Sequence, residues 1–151
     1  MTKDNRQKRP SSAVDTVSDK STQTKDSKVQ VLVVDDDVKI LRFISSSLRL
    51  AGYDVATATS GEEALQLLES KKPQIMVLDI LMPQTDGFEV LKRLRPESKL
   101  PVIAISAHTS AAGQALSLGA NGFIAKPFRP DELIKKIEAL LDHHKRRQSA
   151  V

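Results

Sequence analysis

Five side chains in this sequence have the types and spacing to hold and transfer a charged group: Asp35, Asp36, Asp79, Ser106 and Lys126. They stand at the ends of short apolar runs, VQVLVV (29–34), IMVL (75–78), PVIAI (101–105) and GFIA (122–125). Ile75 to Leu78 reads as a strand buried on both faces, as in a parallel sheet, Val29 to Val34 as a further buried strand, and the other two as strands of the same alternation. In open α/β sheets ligands bind at the carboxyl ends of the strands, so an acid placed directly after a buried run is either costly or useful. Three carboxylates gathered there repel, and some take up protons unless a cation joins them. Oxygen donors of this hardness suit Mg²⁺, held through one or two carboxylates together with water and phosphate. Such an ion screens Asp79 from an incoming phosphoryl group. Lys126 adds a compact cation and Ser106 a hydroxyl donor, and Ala107 beside it leaves room. We read Asp79 as a nucleophile that takes a phosphoryl group.

The elements that must position these groups alternate. Val29 to Val34 is the first strand. Val38, Leu41, Ile44 and Leu48 then recur at helical spacing as far as Gly52, a natural helix stop. Tyr53 to Ala58 is a weaker strand, and Ser60-Gly61-Glu62-Glu63 fits a capping box for a helix through Leu68, ended by Pro73. After the central strand, Asp86 can cap a helix with Phe88, Leu91 and Leu94, which Pro96 terminates. Pro101 to Ser106 is the fourth strand. Ser110 to Leu118 is an Ala-rich helix weakened by Gly113 and closed by Gly119. Gly122 to Ala125 is the fifth strand, and Pro130 opens a last helix with Leu133, Ile134, Ile137 and Leu141 inside. Helix-length crossovers imply an α/β doubly wound, five-stranded parallel sheet with helices on both faces. Phe43 and Phe128 read as core residues, and His108 as exposed.

With 151 residues, 40% hydrophobic and 28% charged, the chain has room for one domain of ordinary size. The absence of cysteine excludes disulfides and thiolate metal sites. No apolar run reaches the ~18 residues of a membrane span, and the N-terminus offers no apolar signal core, so a cytoplasmic location is expected. The net charge of +4 sits in the tails: residues 1–28 carry +3, residues 142–151 carry +2, and residues 29–141 carry −1. We therefore expect a disordered basic N-terminal tail over 1–28, a folded domain over 29–141, and a basic C-terminal tail over 142–151 with His143 and His144 solvated.

Taken together, VVDDD (33–37), VLDILMP (77–83), ISA (105–107) and KPF (126–128) resemble the receiver domain of two-component response regulators, over residues 29–141 and in the same motif order. The resemblance implies a flavodoxin-like strand order 2-1-3-4-5. It implies Asp79 as phosphoacceptor, with Mg²⁺ bound by Asp36 and Asp79, by Asp35 often through water, and by the backbone carbonyl of Leu81. Ser106, Ala107 and Lys126 would hold the phosphoryl group, the Lys126–Pro127 bond would be cis, and Ser106 and Phe123 would form the switch. Phe123 stands where many relatives have Tyr, so it has no phenol to bond across the surface. Leu81 and His108 occupy the variable positions that set phosphate lifetime; an apolar Leu81 cannot position an attacking water, and a long-lived phosphoryl state is expected.

On this reading the chain is a stand-alone phospho-switch and no turnover enzyme. It takes its phosphoryl group from a histidine kinase or phosphotransfer protein and docks a protein target through the fourth helix, fifth strand and fifth helix. We expect no DNA-binding domain after Leu141, no membrane span, and a monomer or a phosphorylation-dependent dimer. Three other readings compete. A haloacid-dehalogenase-type phosphatase would use Asp35-Asp36-Asp37-Val38-Lys39, but Lys39 stands where its D-x-D-x-[TV] signature needs Thr or Val. A degenerate receiver would bind a partner constitutively, and an adaptor would hold nucleic acid on its basic tails. Each group also has an ordinary reading alone: Asp-Asp-Asp as a helix cap, Asp79 as a loop acid, Lys126 as a surface lysine, Ser106 as a strand-end hydroxyl.

Overall fold

The structure, a computed structural model, describes residues 27–84 and 86–149. The expected N-terminal tail lies outside the described residues except for its last two positions. In chain order the elements are β1 (Gln30–Val34), α1 (Val38–Leu50), β2 (Asp54–Ala58), α2 (Gly61–Lys71), β3 (Ile75–Asp79), α3 (Gly87–Leu94), β4 (Val102–Ser106), a 3-10 turn (Thr109–Ala111), α4 (Ala112–Ser117), β5 (Gly122–Ala125) and α5 (Pro130–Ser149). All strand pairs are parallel and the sheet order is β2-β1-β3-β4-β5, as the resemblance implied.

Parallel pairing sends every strand's carboxyl end to one edge, and the register fixes the rows there. Val34 lies opposite Leu78, Asp79 opposite Ile105, and Ser106 opposite Ala125. Alternating side chains then divide the core in two. Val31, Val33, Ile75, Val77, Ile103 and Ile105 face α1 and α5, meeting Leu41, Ile44, Leu48, Leu133 and Ile137. Leu32, Val34, Met76, Leu78, Val102 and Ala104 face α2, α3 and α4, meeting Ala64, Val90, Leu91, Leu94 and Ala115. Burying one such Leu or Ile contributes roughly 1.5–3 kcal/mol, so β3 and β4, apolar on both faces, anchor the sheet.

The caps follow the sequence closely. Asp37 accepts from the Lys39 and Ile40 amides at the start of α1. Gly52 ends that helix with φ +100°, a conformation that side-chain-bearing residues resist. Ser60 accepts from the Glu63 amide, but Glu63 reaches back to the Thr59 amide instead of closing a reciprocal box on Ser60.

Several expectations need correction. Phe43 is 53% exposed and is no core residue. At 3.6 residues per turn it falls opposite the buried stripe of Leu41, Ile44, Ser45 and Leu48. Val38 is 49% exposed, because the first helical position lies beyond the sheet's rim. The fourth helix is shorter than expected: it starts as a 3-10 turn, its first turn receives no side-chain cap, and Gly113 lies inside it. The last helix continues past Leu141 to Ser149, so much of the expected basic tail is helical. The apolar spacing stops near Leu141, but an Asp142–Arg146 pair and cations near the helix's carboxyl end sustain it. Phe128 is half-buried against the α1–α5 core and His108 is exposed, both as expected.

Candidate functional site

Asp35, Asp36 and Asp37 follow β1, and each does something different. Asp37 caps α1, while Asp36 is exposed. Asp35 is fully buried, its amide donates to the Ala58 carbonyl, and its Oδ1 accepts from the Asp37 amide at 3.0 Å. That bond turns its second oxygen, Oδ2, toward Lys126. Asp79 ends β3 and is 3% exposed, so the carboxylate is held at the sheet edge almost without water.

One carboxylate oxygen from each of Asp35, Asp36 and Asp79 lies within 4.8 Å of the others. Lys126 Nζ sits 2.9 Å from Asp35 Oδ2 and 3.5 Å from Asp79 Oδ2, so the lysine binds the neighbouring acid more closely than the expected phosphoacceptor. Burial, then the charge of Asp35, pushes Asp79 up to about 7; Lys126 and the Leu81 amide oppose the rise without cancelling it. Burial alone would lower Lys126, but its hydrogen bond and attraction to Asp35, joined by Asp79, hold the ammonium above its usual range. The centre is short of positive charge by roughly one cation. Hard oxygen donors at this spacing, in a site that strains to keep Asp79 ionised, fit Mg²⁺.

Ser106 is fully buried at the end of β4 and its Oγ accepts from the His108 amide at 3.0 Å, which leaves its proton to donate outward. The Lys126 amide donates to the Ser106 carbonyl at 2.9 Å, tying the ends of β4 and β5 together. The Lys126–Pro127 bond is cis. Ala107 is exposed on the rim, and Leu81, 44% exposed, meets Asp79 through its amide. Phe123 stands apart, half-buried on β5 against the core shared with α3 and α4.

Sequence reasoning missed Gly87. A Cβ there would lie 2.6 Å from the Asp79 carbonyl oxygen and 2.7 Å from Ile80 Cα, and its amide donates to the Ile80 carbonyl at 2.7 Å. Only glycine lets α3 start this close to the acid-bearing strand end. The signal was present: a poor helix former directly after the Asp86 cap.

Residues 31–138 match the family profile described as the response regulator receiver domain. The chain is 42% identical over 116 residues to a probable transcriptional regulator, ycf27, of Cyanophora paradoxa, covering 76% of this chain and 48% of that one. It is 39% identical over 115 residues to the alkaline phosphatase synthesis transcriptional regulatory protein PhoP of Bacillus subtilis, covering 74% and 48%. The chain thus spans about half the length of the curated relatives it matches. Among solved structures, the receiver domain of the Francisella response regulator 1452 superposes with a TM-score of 0.72 at 37% identity, covering 77% of this chain and 98% of that one. A CheY-like receiver domain protein from Methanospirillum hungatei gives 0.74 at 30%, covering 80% and 99%. Receiver domains bind Mg²⁺ at an acidic pocket and act as phosphorylation switches, and among the described residues no helix is long and apolar enough to cross a membrane. By sequence, sheet order and the acid cluster at its carboxyl edge, this chain belongs to the response regulator receiver family of two-component signalling.

Proposed function

We propose that Asp79 is the phosphoacceptor and that this chain works as a phospho-switch docking a protein target. The observation that carries the reading is the buried Asp79 carboxylate, flanked by Asp35 and Lys126 and pushed up to about 7. Asp35, Asp36, Asp79 and the Leu81 carbonyl would hold Mg²⁺, which supplies positive charge for the oxygens of the transferring group. An Asp79 oxygen attacks the phosphorus of a kinase or phosphotransfer-protein phosphohistidine. The phosphorus–nitrogen bond breaks and the departing imidazole takes a proton from solvent. Lys126 then pairs with one phosphoryl oxygen, and the Ser106 hydroxyl, with Ala107 leaving room, donates to another. Drawing Ser106 toward that group vacates space into which Phe123 turns, remodelling the face of α4, β5 and α5. Partners meet that face as targets or as a second copy on phosphorylation. The setting is cytoplasmic, and catalysis is limited to the chain's own phosphorylation and dephosphorylation. With Leu81 apolar, the side chain at that position cannot orient a hydrolytic water, so the phosphoryl state is long-lived.

The test is beryllofluoride or acetyl phosphate, with and without Mg²⁺, on wild type and Asp79→Asn. Amide shifts at Ser106, Phe123 and Lys126 that need both Mg²⁺ and Asp79 are expected. An unchanged spectrum leaves only constitutive partner binding. Asp35-dependent turnover of p-nitrophenyl phosphate would point to a phosphatase, and rapid loss of label would contradict the long lifetime.

A further inference from the structure

The opposite, amino-terminal edge of the sheet carries a feature that phosphotransfer does not use. There α5 overhangs the loop between α3 and β4, leaving a groove of about 620 Å³ whose walls include Lys99, Pro101, Leu140, His143, His144 and Arg147. A second groove of about 590 Å³ adjoins it and shares Lys99, Pro101 and His144. Among the described residues no Asp or Glu lines either one. Lys99 and Arg147 have no ion-pair partner among the described residues, whereas Arg146 is drawn 3.7 Å from Asp142.

The loop wall is fixed in advance. The Arg95 guanidinium donates to the carbonyls of Ser98, Leu100 and Gly119 and to Asn121 Oδ1, at 2.7–3.1 Å. Arg95 is thereby spent on the scaffold, and the loop holds Lys99 facing α5. Like charges kept together with no acid between them repel, and a multivalent anion relieves that repulsion. The volume falls within the ~300–1,000 Å³ usual for small-molecule sites, and Pro101 and Leu140 give it an apolar floor beneath a cationic rim. A concave site of this size suits a compact ligand better than an extended duplex or a flat membrane.

We propose that this groove binds a small molecule bearing several phosphate charges, recognised by Lys99 and Arg147, at the far end of the sheet from Asp79. The test is amide chemical-shift titration of the full chain without Mg²⁺, using sodium tripolyphosphate and, separately, adenosine triphosphate. Saturable shifts confined to residues 98–101, 119–121 and 140–148 are expected with both. Equal affinities place recognition in the phosphates, while tighter nucleotide binding adds stacking on the floor; either supports the site. Lys99→Ala and Arg147→Ala should each weaken binding on the order of tenfold, as loss of one charge-assisted bond does. Lys99→Glu should abolish it, and Arg146→Ala should leave it unchanged. Urea midpoints should match wild type in the Lys99 and Arg147 variants and fall at most slightly in Arg146→Ala, which loses its pair with Asp142. Acetyl phosphate labelling with Mg²⁺ restored should match wild type in all four, separating this site from phosphotransfer. Three results would overturn the proposal: no saturation at millimolar tripolyphosphate, equal weakening by Arg146→Ala, or tighter binding of a short DNA duplex or anionic vesicles at matched phosphate concentration.

Discussion

Replacing Asp79 by Asn should stabilise the Mg²⁺-free protein, and the gain should grow with pH. In the fold Asp79 is raised from 3.8 to about 7, chiefly by burial and then by Asp35. A group that binds its proton more tightly when folded contributes stability below the unfolded value, here 3.8, and loses it as pH rises through 7. At about 1.4 kcal/mol per tenfold change in the proton equilibrium, the full loss approaches ~4 kcal/mol, of which roughly 3 kcal/mol falls between pH 5 and 8. With a urea slope of about 2 kcal/mol per molar, the wild-type midpoint should drop by ~1.3 M over that interval. Asn carries no charge, so the drop should vanish in the variant. The three histidines are common to both proteins, and whatever they contribute cancels in the difference. The assay is urea unfolding in EDTA at half-unit steps from pH 5 to 8, repeated with Mg²⁺, which should restore wild type at pH 8 and leave the variant unmoved. Parallel curves for the two proteins would refute the reasoning, since they would mean that Asp79 meets no penalty for its charge.

The remaining expectations concern packing around the site and scaffold. Gly87→Ala would press a methyl against the Asp79 carbonyl, so it should cost about 1–3 kcal/mol in urea unfolding and slow acetyl phosphate labelling; an unaltered labelling rate would deny its positioning role. Ser45 is buried with no hydrogen-bond partner for its Oγ among the described residues, so Ser45→Ala should raise stability by about 1 kcal/mol; destabilisation would reveal a bond to that hydroxyl. Arg95→Ala strips donors from the Leu100 and Gly119 carbonyls and should cost roughly 2–3 kcal/mol. Arg95→Lys should recover little of this, because an ammonium cannot reproduce the fork; full recovery would show that charge alone matters.

The sequence by itself determined which strands are buried, since the apolar runs of β1, β3 and β4 leave no solvent-facing side whereas the short edge strand β5 alternates. It determined which residues close them, since an acid, a hydroxyl or an ammonium after such a run has only the sheet edge to occupy. It also determined the caps at Asp86 and Ser60 and the stop at Gly52, where local backbone chemistry suffices. Tertiary structure decided what depends on distance in space. The triplet Asp35-Asp36-Asp37 is uniform in sequence, yet only packing could make one a cap, leave one exposed and bury one against Lys126, which lies 91 residues away. Phe43 looked like core because it is apolar, and which side of α1 meets the sheet was settled by the whole stripe. Gly87 showed in the sequence only as a poor helix former after a cap and Arg95 not at all, because the demands on them come from backbone elsewhere in the chain: a carbonyl at the end of β3, and the carbonyls flanking β4 and β5.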